Sequence, residues 1–118
     1  MAITVTNRSD GVSVDGNRFV EATLQFPASY TQGDSFNAQS TLGLREVKEA
    51  WVLAATTVSD PKHVVPTAAQ TGRGLLVELD TAAKKVAPVH RLYTAASTEA
   101  AGASDQSAFR FRVQYRGR

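Results

Sequence analysis

The sequence predicts an all-β chain, folded as an antiparallel β-sandwich or jelly-roll-like barrel in one domain spanning residues 1–118. Three observations carry that expectation. The run Phe109-Arg110-Phe111-Arg112-Val113-Gln114-Tyr115-Arg116 alternates apolar and polar residues without a break. A period of two places one set of side chains on each face of a strand. A second run, Arg18 to Phe26, alternates in the same way. Between such runs, Asp-Gly, Gly-Asp and Pro punctuate the chain, and no segment reads as a long packing helix.

Taken in order, Ile3-Thr4-Val5 reads as a short first strand. Asn7 to Gly16 reads as turn, because Asp10-Gly11 and Asp15-Gly16 are both tight-turn signals. In the strand from Arg18 to Phe26, Val20, Ala22, Leu24 and Phe26 share one face. Phe19, Glu21, Thr23 and Gln25 share the other. Pro27 closes the strand. Ala28 to Ser40 has loop composition, with Tyr30 and Phe36 as its only large apolar anchors.

Leu44 to Val58 carries two signals. Glu46, Lys48 and Glu49 suit a helix, whereas Trp51-Val52-Leu53 and Thr56-Thr57-Val58 suit a strand. A buried strand from about Val47 to Thr57, ended by Asp60-Pro61, is the favoured reading. His63 to Arg73 is a connection. Leu75 to Leu79 and Val86 to Tyr93 form a hairpin about a turn at Thr81 to Lys85. Thr94 to Ser107 is small and polar, and reads as a surface excursion able to move.

Composition limits the chemistry. There is no cysteine, which excludes disulfides, thiolate metal sites and Cys nucleophiles. The two histidines, His63 and His90, stand in no nucleophile or metal-ligand pattern, and no phosphate-binding loop or nucleophile elbow is present. Glu46 and Glu49 would adjoin on a helix but part on a strand, so a paired-carboxylate site is not expected. The chain is expected to be no enzyme and to hold no cofactor or metal. No apolar run is long enough to span a membrane, and no secretory leader is expected.

Residues 1–83 carry a balance of −3 and residues 84–118 a balance of +5. A basic C-terminal third fits an acidic partner surface or phosphate. Alternation argues against direct nucleic-acid binding, since aromatics turned to the core cannot stack on bases beside the arginines.

Several stretches, in order, resemble the head decoration (cement) proteins of tailed bacteriophages. They are Ile3 to Asp10, Ser29-Tyr30-Thr31-Gln32-Gly33-Asp34, Leu42-Gly43-Leu44, Gly74 to Asp80 with Lys84-Lys85-Val86, and Ser107 to Tyr115. The resemblance implies a sandwich or jelly-roll fold and self-association, first as a homotrimer. It also implies a place on the outer capsid surface, after synthesis in the host cytoplasm, with the major capsid protein as partner. The mechanical role would be bridging capsid subunits. The alternatives are a phage tail or neck protein, or a carbohydrate- or nucleic-acid-binding β-sandwich module. The expected interface residues are Arg110, Arg112, Arg116, Tyr30 and Phe36. The three arginines are expected as a solvent-facing row reaching acidic groups on another copy or on the capsid protein.

Overall fold

The computed structural model describes residues 3–56 and 72–118, so His63 and the Asp60-Pro61 stop lie outside the described residues. The strands are β1 (Thr4–Val12), β2 (Arg18–Gln25), β3 (Asp34–Ser35), β4 (Val47–Thr56), β5 (Arg73–Glu78), β6 (Val89–Thr94) and β7 (Arg110–Gly117). Two short helices, α1 (Ala38–Leu42) and α2 (Ala82–Val86), interrupt them. The chain is mostly β, as expected. Its strands form two antiparallel sheets, of order β1-β2-β7-β4 and β3-β6-β5.

β7 lies between β2 and β4, the central place that its unbroken alternation predicts. Register explains the core. Val20 faces Tyr115, Ala22 faces Val113 and Leu24 faces Phe111 across the β2–β7 ladder. All six are buried, together with Phe26, Leu42, Leu44, Val47 and Leu92 of β6. Both sheets thus contribute to one apolar cluster. Each fully buried side chain of this size stabilises by roughly 1.5–3 kcal/mol. Phe26 meets Phe111 edge-on, with ring centroids 5.6 Å apart.

Four local expectations are corrected. β1 does not stop at Val5 but runs through Asp10-Gly11 to Val12. It does so by a bulge: Thr6 pairs with Thr23 and Ser9 with Glu21, leaving Asn7 and Arg8 to share one position, with Asn7 at φ 51°. An αL residue at such a place is the usual geometry of a Gly bulge, and Asn tolerates it. The turn is instead Ser13 to Asn17, where Asp15 accepts from the Asn17 backbone and from its amide.

The loop from Ala28 to Ser40 contains β3 and the start of α1, which is capped by the Asn37 side chain and ended by Gly43 at φ 72°. The turn at residues 81–85 lies within α2, capped by Thr81, and the returning strand begins at Val89 rather than Val86. The excursion 94–107 is tied down: Ala100 N–H donates to Leu92 O, Ala103 N–H to Tyr30 O, and Gln106 N–H to Pro27 O. Ala100 and Gln106 are buried. Among the described residues, no helix is long and apolar enough to cross a membrane.

Candidate functional site: the outer sheet face and an apolar seam

The face of the four-stranded sheet away from the core is set by the same period of two. Across β2, β7 and β4 the register aligns Phe19 with Arg116 and Glu49, Glu21 with Gln114 and Trp51, and Thr23 with Arg112 and Ala54. Two of these rows carry Arg116 and Arg112, Arg110 falls in the next row opposite Gln25, and the surroundings of the three differ sharply.

Arg112 is not part of a solvated row. It is 3% exposed, and its guanidinium reaches across β2 to the β1 bulge. One terminal nitrogen donates to Asn7 O and to Thr23 Oγ1 at 3.0 Å, and the other to Glu21 Oε2 at 3.2 Å. The Nε atom is buried without a partner. The bulge exposes a strand carbonyl that the ladder would otherwise use, and the guanidinium takes it. Expecting this side chain at an interface was a correct reading of its face but not of its cover.

Arg116 is half-buried and held between two carboxylates, Glu49 Oε1 at 2.7 Å and Asp15 Oδ2 at 3.6 Å. Its hydrogen bond to Glu49 is the main cause that raises its already high pKa. Arg110 is half-buried at the start of β7, opposite Gln25 of β2, and donates to Ala108 O. The acids expected on a partner are thus supplied, for Arg112 and Arg116, by the chain itself.

Tyr30 and Phe36 are likewise turned inward, at 2% and 4% exposure, and do not lie on the surface where an interface would need them. Tyr30 accepts from the Leu92 N–H at 2.8 Å and donates to Glu99 Oε2 at 2.7 Å. Burial, the largest cause, pushes its phenol pKa up. Phe36 stacks on His90 with centroids 4.7 Å apart. The anchoring role read from the loop's composition is the one they fill.

His90 stands in no ligand or nucleophile pattern in the sequence, which gives it no special place. It is instead fully buried, sharing a 2.7 Å hydrogen bond between Nε2 and the Tyr115 hydroxyl, while Nδ1 lacks a hydrogen-bond partner. Burial lowers its pKa to about 4, opposed by the nearby Pro88 carbonyl and the Asp34 charge. The hint available in the sequence was its place in an alternating strand, two residues before Leu92.

A second surface feature was not expected. Val52 of β4 has the core-side register, opposite Val113, yet stays exposed, as do the bulged Leu53, Leu76 of β5 and Val86 of α2. β4 is in contact with both β5 and α2, so these exposed residues lie on neighbouring elements along the seam where the two sheets' edges meet, with Leu76 on the face of β5 opposite to that of Leu75 and Val77. Leu75, Val77 and Leu79 are half-buried and packed against the core cluster. A cleft of about 380 Å³ lined by Arg45, Glu46 and Arg118 lies just past β7, its walls bridged by Arg118 and Glu46 at 3.1 Å. Glu46 and Glu49 serve different arginines and do not form a carboxylate pair. Among the described residues, no three acidic or imidazole groups gather as metal ligands.

Comparison with protein-family models, with curated proteins and with solved structures finds no match.

Proposed function

We propose that this chain is a non-enzymatic structural protein of a virus particle, of the head decoration type of tailed phages. In this reading the two sheets pack as a sandwich of jelly-roll kind, and copies associate as a homotrimer on the outer capsid surface. There they bridge neighbouring major capsid subunits, so that internal pressure must break additional interfaces. Several weak contacts repeated around a symmetric site act cooperatively.

The observation that supports a contact protein best is the exposure of Val52, Leu53, Leu76 and Val86 on neighbouring elements along the seam between the sheets. Exposed clusters of this kind mark interaction surfaces in soluble folds. The internal pairing of Arg112 and Arg116 agrees with it, since the charged groups foreseen as docking elements already have partners. Arg110 stays a candidate at the rim.

The test is to incubate the chain with undecorated heads of a tailed phage and image the particles, alongside sedimentation of the free chain. Symmetric density at threefold positions and a trimeric free chain are the expected results. Leu53→Asp, which places a charge in the seam, should lower both occupancy and trimer fraction without unfolding the chain. Particles that never acquire the density, with a monomer at high concentration, would reject the reading.

A further inference from the structure

The middle of the outer sheet face combines features that the capsid reading leaves unused. Trp51 stands 41% exposed on β4, and Phe19 lies half-exposed on β2, outside the core cluster. Gly11 is the β1 partner of Phe19 and offers no side chain to cover the ring. Between the two aromatics run the rows Glu21–Gln114–Trp51 and Phe19–Arg116–Glu49. No hydrogen bond within the described residues occupies the Gln114 amide or the Trp51 indole N–H. Two strand spacings and one side-chain row separate the rings, about 12 Å between their backbones.

The polar groups between them are fixed in place. Arg116 is held from both sides by Asp15 and Glu49, and Glu21 is held through one oxygen by Arg112. Three carboxylates against two guanidinium groups leave no positive excess between the rings, so a phosphate-bearing strand finds no field to enter. An amide with two donors and an acceptor, a free indole N–H and carboxylate oxygens suit a ligand dense in hydroxyl groups. Flat aromatic faces suit a ligand that also shows apolar C–H faces at intervals. Preorganised groups of both kinds lose little freedom when such a ligand settles on them.

We propose that this face binds a neutral oligosaccharide chain. One sugar ring packs on Trp51, the next residues lie over Gln114 with Glu21 and Arg116 hydrogen-bonding their hydroxyls, and a further ring rests on Phe19. The site is separate from the apolar seam: Trp51 shares the side of Gln114, whereas Val52 shares that of Val113. Capsid attachment and sugar binding therefore use different surfaces and fail independently.

Trp51 is the chain's only tryptophan, so its emission reports this face alone. Maltohexaose, cellohexaose and chitohexaose are titrated into the whole chain, read by fluorescence and by calorimetry. At least one should shift the Trp51 emission and saturate, with an affinity that does not change from low to high salt. Trp51→Ala should weaken calorimetric binding by about tenfold or more, the scale of a tryptophan anchor. Gln114→Ala and Phe19→Ala should each weaken it by a smaller factor, with the melting temperature of all three variants retained. The proposal is overturned if none of the three sugars binds at millimolar concentration. It is equally overturned if binding survives Trp51→Ala or collapses with added salt. Loss of particle occupancy in Trp51→Ala without any sugar binding would assign the face to a protein partner instead.

Discussion

Replacing Arg112 by Gln separates the face of a residue from its burial. Gln is too short to reach the β1 bulge, so Asn7 O and Thr23 Oγ1 lose a charged donor and Glu21 loses its counter-ion. Removing one member of a fully buried ion pair costs about 3–5 kcal/mol, and hydrogen bonds to charged groups about 1.5–3 kcal/mol each. Glu21 retains 32% side-chain exposure and can rehydrate, which puts the cost near the lower figure, about 3 kcal/mol. For a chain of 118 residues, that lowers the melting temperature by about 12 °C. Thermal unfolding followed by circular dichroism, repeated by calorimetry, measures it. Arg112→Lys keeps the charge without the fork and should fall between Gln and the parent. Arg110→Gln is the internal control and should move the midpoint far less. Equal midpoints for Arg110→Gln and Arg112→Gln would refute the claim that the bulge and the guanidinium form one stabilising unit.

Two further outcomes follow from the core and the sheet. Folding lowers the His90 pKa from 6.5 to about 4, so the unfolded chain binds the proton first. Stability is complete above about pH 6.5, declines as pH falls towards 4 and levels off below, an acid loss of about 3 kcal/mol. Urea titrations across that range should show the slope, and His90→Phe combined with Tyr115→Phe should flatten it; an unchanged slope would place the acid sensitivity elsewhere. Gly117 sits in the ladder between Arg18 and Val47, and a Cβ there would lie 2.0 Å from Glu46 O. Gly117→Ala must therefore push β4 from β7, at about 3 kcal/mol, and a thermal midpoint equal to the parent would contradict that packing.

How far the fold could be read depended on whether a signal was local. Residues 109–115 and 19–26 specify their strands because alternation is a property of neighbours along the chain, and the buried face then follows. The β1 bulge was hidden because Asp10-Gly11 reads as a turn by itself, and only pairing with β2 keeps it extended. Helix α1 did leave a trace, Asn37 as N-cap and Gly43 as C′ glycine around a single turn. It is too short for periodicity to reveal.

The charged groups show the boundary most clearly. Asp15 and Glu49 are distant from Arg116 in sequence, so no local rule pairs them. His90 became a core residue because Phe36, just after β3, and Tyr115 of β7 pack against it. The outer-face site was legible only in part. Phe19, Glu21 and Gln114 were placed on the polar faces of their strands, but Trp51 lay in the segment where helix and strand signals competed.

The central position of β7 also has a consequence for the order of synthesis. A ribosome delivers β1 and β2 early, and they can pair as a hairpin at once. β2 and β4, however, have no ladder to each other; both wait for the last of the described strands. Until residues 110–117 emerge, each presents an unsatisfied edge, and the apolar sides of β2 and β4 lack their partner surface. Pairings so distant in sequence form slowly, and open edges invite association with other nascent chains. The crowded polysome, more than the folded chain, is where this topology is most exposed to error.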